Sequence, residues 1–397
     1  MKRNVRWLYV ILGIIIFICL GTVYSWSIFR KPLENMLGLS STQSGLPFMV
    51  FLAFYAFLMP FGGKLQYKLK PNKVLWIGGI LTALGWISSS YVNNIYQLIF
   101  TYGVIAGSGV GIAYGVPISV VTRWFPDKRG LALGMLLTGF GLSPFITAPI
   151  AKTLIDLYGP FITFRIMGNI FLILILSLSM PFKFPENVIQ IGAVDDNAIT
   201  TKEMLKDIRF YALWVCFAIS TLVGLMIIGI TSPIGEEIIK IDTKKVALLV
   251  SFFSIFNGIG RPIFGFLTDK IKPIFAINTS YVLILIAAIM MIFYSENSII
   301  LYTISLSLFW MNFGGWLAIA PSLTSKFFGN KYYSQNYGML FTAYGIGAIT
   351  GNLLSGISKD FFGSYKLVAY PIITLSVLGI IISNIFFIDK NEKQVIK

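Results

Sequence analysis

The chain has 397 residues, 56% of them apolar and only 12% charged, with a formal net charge of +15 and no histidine. Soluble domains carry roughly a quarter charged residues, so this composition calls for a bilayer as solvent, and the absent histidines exclude His-based acid–base catalysis and His metal sites. The basic residues lie between apolar runs instead of forming one face, which is the pattern of membrane loops and speaks against a nucleic-acid partner.

Lys2, Arg3 and Arg6 precede an apolar run, 7–29, that is too long for a signal-peptide core and offers no small-residue cleavage site. It reads as a retained first helix. A spanning helix needs about 20 mostly apolar residues. Twelve runs qualify: 7–29, 44–66, 74–92, 97–122, 130–155, 162–182, 210–231, 245–268, 274–294, 299–325, 337–358 and 367–388. Cys19 and Cys216 fall inside two of these runs and read as small buried hydrophobes. The fourth run carries Gly103, Gly107, Gly111 and Gly115 at spacing four, a ridge that lets membrane helices approach closely.

The longest polar gap, 183–209, includes Lys183, Glu186, Asp195, Asp196, Lys202 and Arg209. It reads as a linker between a six-helix bundle at 1–182 and a second at 210–397. The expected fold is an all-α membrane protein of twelve transmembrane helices. With the N-terminus inside, the inner segments hold 21 of the 31 Lys and Arg residues. Nine lie near the other face, and Arg261 lies within a span. Basic residues accumulate in cytoplasmic loops, so both termini and the linker are expected in the cytoplasm.

The two halves repeat in register. Pro60, Gly63, Leu65, Lys68, Lys70 and Pro71 match Pro262, Gly265, Leu267, Lys270, Lys272 and Pro273, every pair 202 apart. Gly134, Met135, Leu136, Thr138, Asp156 and Gly159 match Gly338, Met339, Leu340, Thr342, Asp360 and Gly363 at 204. Two parallel repeats with a site between them form a transporter architecture.

Arg261 is the sharpest chemical signal. It sits seven residues inside the inner end of span eight, about 10 Å deep at the helical rise. An arginine at mid-membrane is costly, about 2.5–3.5 kcal/mol on insertion scales, so such residues usually face a polar cavity. Ser254, Asn257 and Arg261 form one polar stripe on an otherwise apolar helix. The guanidinium fork matches a carboxylate bidentately, and no acidic residue in a span interior is an evident partner. Around it, Tyr24 and Trp26 in span one, Tyr114 in span four and Trp316 in span ten are candidate wall residues for a small planar anion. The chain holds 8 Trp, 19 Tyr and 34 Phe, and most of these must serve packing or interface anchoring.

Gly265-Phe266-Leu267-Thr268-Asp269-Lys270, between spans eight and nine, resembles the loop signature of the major facilitator superfamily. Its first-half counterpart, Gly63-Lys64-Leu65-Gln66-Tyr67-Lys68, carries Tyr67 where the signature has Asp. Four further segments resemble the oxalate:formate antiporter family, which is related to the monocarboxylate transporters. They are Tyr24-Ser25-Trp26-Ser27-Ile28-Phe29, Arg123-Trp124-Phe125-Pro126-Asp127-Lys128-Arg129-Gly130, Asn257-Gly258-Ile259-Gly260-Arg261 and Asn336-Tyr337-Gly338.

The resemblance implies a functional monomer that carries a small organic anion by alternating access in the plasma membrane, together with a proton or in exchange for a counter-anion. It implies that Arg261 binds substrate and that Tyr24, Tyr114 and Trp316 line the pocket. Asp269, Lys270, Arg123 and Arg129 become cytoplasmic gate elements. Oxalate-selective members carry a second cation, a Lys in span eleven, where this chain has Tyr344. One cation suits a monoanion, so formate, lactate, pyruvate or a similar monocarboxylate is expected in preference to oxalate. No cofactor, metal or enzymatic activity is expected. The alternative reading is a carrier of another solute class (sugar, nucleoside or drug) or a transporter-like sensor. Sugar sites carry several Asn and Gln within spans, and few occur here beyond Asn257, Asn312 and Asn352.

Overall fold

A computed structural model describes residues 5–125, 129–185, 199–270, 273–329 and 332–387. Every regular element among them is helical. Eleven continuous helices are long and apolar enough to cross a membrane, and the longest, Ala132–Ser179, is two spans in one. Gly159 divides it. Its φ of 78° and ψ of 168° lie outside the helical region, a conformation open to glycine, and Pro160 then starts the next helix at its tolerated first turn. The expected twelve spans are therefore present.

Span one is helix Val5–Leu20, a 3₁₀ turn Gly21–Ser25 and helix Trp26–Leu37. Span two is Ser41–Lys68, span three Pro71–Ser88 and span four Ile95–Trp124. Span five joins Arg129–Gly141 to the stretch 143–158, and span six is 160–179. The second half supplies Ile208–Glu237, Thr243–Lys270, Pro273–Ile292, Ile299–Phe328, Tyr333–Phe362 and Ala369–Phe386 as spans seven to twelve.

The sequence repeat reappears as geometry. Spans two and eight are both 28 residues long and 202 apart. Spans three and nine each begin on a proline. Gly159 and Gly363, 204 apart, close spans five and eleven with φ of 78° and 73°. Within the first half, the glycine ridge of span four packs on span two. A Cβ at Gly107 would lie 2.5 Å from the Phe51 carbonyl oxygen, so only a bare Cα permits that contact.

The two halves meet along two seams, span two against span eleven and span five against span eight. We call the end where residues 180–207 join spans six and seven the linker face. The end where spans one and two join is the opposite face. One boundary differs from the expected 7–29: span one continues to Leu37, where Gly38 caps it in the left-handed region at φ 64°. Arg30, one of the nine basic residues expected near the face away from the linker, therefore lies inside a helix and is buried there.

Candidate functional site

Span eight turns the Asn257–Arg261 part of its polar stripe toward span five. Arg261 is only 3% exposed, and its Nη1 donates to the Leu137 carbonyl oxygen across the seam. Its Nε and Nη2 have no hydrogen-bond partner, and neither amide atom of Asn257 has one. The two groups lie side by side on Gly141. A Cβ built on that glycine would stand 3.2 Å from both Arg261 Nη2 and Asn257 Oδ1. Ser254, by contrast, is satisfied within its own helix, donating to the Ser251 carbonyl oxygen at 2.7 Å. Buried donors without partners are unfavourable, most of all on a charged group. The arrangement leaves a buried guanidinium and a carboxamide side by side with hydrogen-bonding capacity unused.

Helix breaks frame the site. Span one tightens into its 3₁₀ turn at Gly21–Ser25, and span five is interrupted at Leu142, just before Pro144. Mid-membrane discontinuities of this kind accompany ligand sites in transporters. Tyr24 lies in the first of them. Its hydroxyl is 2.9 Å from that of Tyr344, a hydrogen bond from one half to the other. The Tyr24 ring meets Phe140 at 5.2 Å and Phe313 at 5.5 Å. Tyr114 stacks on Phe17 at 5.0 Å. Tyr114 meets the same Phe140 ring at 5.3 Å, one residue before the glycine on which Arg261 lies.

The remaining aromatics go elsewhere. Trp316 donates its indole N–H to Ser280 Oγ at 2.9 Å and stacks beside Phe217 and Tyr281. Ring contacts through Phe217 and Phe341 connect it to Tyr344. Trp26 donates to the Ser44 carbonyl oxygen and packs on Tyr102 in the core of the first half. Arg123 is exposed and lies over the Phe184 ring at 3.9 Å, and Lys270 is exposed at the end of span eight. The side chains of Arg129 and Asp269 lie outside the described residues.

Two features escaped the sequence reading. Tyr55 of span two is 2% exposed and touches Tyr114, Phe140, Phe341 and Tyr344 at 5.2–6.0 Å between ring centres. Nothing in its local sequence distinguishes it from the other tyrosines. The second is Arg30, 1% exposed, which donates to Ser44 Oγ at 3.0 Å, to the Gly229 carbonyl oxygen at 3.1 Å and to the Ser41 carbonyl oxygen at 2.5 Å. Glu34, one turn later, was the available signal, and its carboxylate lies 4.0 Å away.

Arg30 belongs to a seal on the opposite face. Lys31 and Lys359 approach Glu237 at 3.3 and 2.5 Å, and Ser232 donates to Ser27 at 3.1 Å. Asp360 accepts the backbone N–H groups of Ser41 and Thr42 at 3.0 and 2.9 Å, so a carboxylate of one half caps a helix of the other.

The pattern of the Major Facilitator Superfamily matches residues 7–352. The oxalate:formate antiporter of Oxalobacter formigenes is 30% identical over 372 residues, covering 90% of this chain and 86% of that protein. Monocarboxylate transporter 13 of Rattus norvegicus is 24% identical over 319 residues, covering 79% of this chain and 73% of its own. Among solved structures, a bacterial homologue of the human lysosomal transporter Spinster, inward-facing and occupied, superposes with a TM-score of 0.73 at 14% identity. That superposition covers 98% of this chain and 97% of the other, and it carries the fold alone. A match running through both repeats, joined to the twelve spans and the two-fold architecture, identifies this multi-pass membrane protein as a transporter of the Major Facilitator Superfamily, in the family of the oxalate:formate antiporter.

Proposed function

We propose that this transporter carries a small monocarboxylate, with Arg261 holding the carboxylate and Asn257 beside it. The observation that supports this most is the pair of unsatisfied guanidinium nitrogens next to an unsatisfied amide, all buried where the halves meet. The relatives named for oxalate, formate and monocarboxylates are consistent with such a ligand. Tyr24 and Tyr114 line the pocket, Trp316 backs it through Phe217, and the uncharged Tyr344 favours a monoanion such as formate, lactate or pyruvate over oxalate. The halves are 1–182 and 210–397, joined by 183–209, and they rock about the site by alternating access. The linker face is cytoplasmic by its excess of Lys and Arg, so Arg123, Arg129, Asp269 and Lys270 serve the inner gate. No His occurs in the chain, which favours anion exchange or symport in which the substrate brings the proton, performed by a monomer.

The test is ligand-induced thermal stabilisation of the purified protein, paired with uptake into proteoliposomes, for wild type and Arg261→Gln. A charged hydrogen bond to a desolvated carboxylate is worth on the order of 1.5–3 kcal/mol, so binding falls about tenfold to a hundredfold or more. A wild-type ligand shift and uptake rate in Arg261→Gln would sink the proposal.

A further inference from the structure

We infer that Tyr55 is a specificity-determining residue, giving its hydroxyl to an uncharged oxygen of the substrate while Arg261 holds the carboxylate. The argument begins with the repeat. The offset of 202 maps Asn257 onto Tyr55 and Arg261 onto Met59, and the offset of 204 maps Leu137, Phe140 and Gly141 onto Phe341, Tyr344 and Gly345. The two seams are thus equivalent places related by the pseudo-two-fold.

The structure bears the equivalence out in contacts. On one seam, Arg261 reaches Leu137 and lies with Asn257 on Gly141. On the other, Tyr55 packs on Phe341 and Tyr344 at 5.7 and 5.5 Å, and a Cβ at Gly345 would meet Ala56 at 3.2 Å. Each seam brings the same two stretches of the repeat together, with different chemistry. The first offers a cation and an amide. The second offers an uncharged phenol.

A substrate held on the axis between two equivalent seams meets both. Its charged end belongs at Arg261, and its other end falls at the second seam. There the Tyr55 ring lies 5.2 Å from that of Tyr114 and 5.5 Å from that of Tyr344, whose hydroxyl pairs with that of Tyr24. A phenol can donate to or accept from a neutral oxygen but cannot neutralise a second carboxylate. The group therefore selects an acid bearing a hydroxyl or keto oxygen over the same acid without one.

The inference rests on the carboxylate reading, and a pair of variants separates the two. The probes are acetate and glycolate, which differ by one hydroxyl, with binding measured on the purified full-length chain. Wild type should bind glycolate at least threefold more tightly than acetate, and Tyr55→Phe, which keeps the ring packing, should bring the ratio close to one. Arg261→Gln should lose both acids. A wild type without the preference, or a Tyr55→Phe ratio equal to wild type, overturns the role of Tyr55. If Arg261→Gln still bound both acids while Tyr55→Phe narrowed the ratio, the carboxylate seat would fail and the Tyr55 contact would stand.

Discussion

Arg30 and Arg261 are both buried within spans, and both touch the other half of the molecule. Arg30 is saturated: each of its three nitrogens donates to an oxygen, Glu34 lies close to balance its charge, and the Tyr365 ring lies 5.6 Å away. Arg261 spends one nitrogen on a backbone carbonyl and leaves two without partners. The same side chain therefore does opposite work. A satisfied guanidinium fastens two helices together, while an unsatisfied one keeps the hydrogen-bonding capacity that the proposed ligand would use. Burial alone distinguishes neither, because the two arginines are equally dry. The inventory of donors and acceptors around each does.

The sharpest way to break this comparison is to remove each charge in turn. Arg261→Gln should weaken binding about tenfold to a hundredfold or more and leave the unfolding temperature at or above wild type, because removing a buried cation with no counter-charge relieves an unfavourable term. Arg30→Gln should do the reverse. Breaking a buried, fully bonded guanidinium costs about 3 kcal/mol, read as a fall in unfolding temperature with the ligand shift retained. If both variants behaved alike in both assays, the distinction drawn from partner counting would be wrong.

Finer substitutions sharpen it. Arg261→Lys keeps the charge and loses the planar fork, so binding should weaken about tenfold without a change in stability. Tyr344→Lys adds a second cation at the proposed site and should move competition profiles from monocarboxylates toward oxalate. An unchanged profile would mean that this position does not sense the second charge.

The smallest effect is expected at the rim. Glu237→Gln removes a carboxylate that faces Lys31, which is 46% exposed, and Lys359. Ion pairs of this exposure are worth about 0–1 kcal/mol and weaken with salt. Stability should scarcely move, while labelling of a cysteine introduced behind the seal should speed up as the opposite face opens more often. Equal labelling rates in wild type and variant would show that the Arg30 bonds and the Asp360 cap close that face without help from Glu237.

Much of this was legible in the chain. The spans could be read because lipid rewards any window of about 20 apolar residues, a property of local composition. The repeat could be read because Pro, Lys and Asp recur at offsets of 202 and 204, and those offsets returned as equal helix lengths and paired glycine stops. Arg261 stood out because a lone cation in an apolar run is costly wherever the run folds. The burial of Arg30 was not legible because hydropathy falls at Arg30-Lys31-Pro32, whereas the helix continues to Leu37 on tertiary support. Trp26 and Trp316 looked equivalent to Tyr24 and Tyr114, yet their indole N–H groups are taken by Ser44 and Ser280.

The sequence by itself thus determined the number of spans, their two-fold repetition and the presence of a mid-membrane cation, since each depends on neighbours along the chain. Only the tertiary structure decided which arginine is satisfied and which tyrosines converge. Those answers depend on partners far away in sequence: Leu137 for Arg261, Gly229 for Arg30 and Tyr344 for Tyr24. Hydrogen-bond satisfaction is a property of the atoms within about 3 Å, and for a side chain facing another helix the local sequence does not name them.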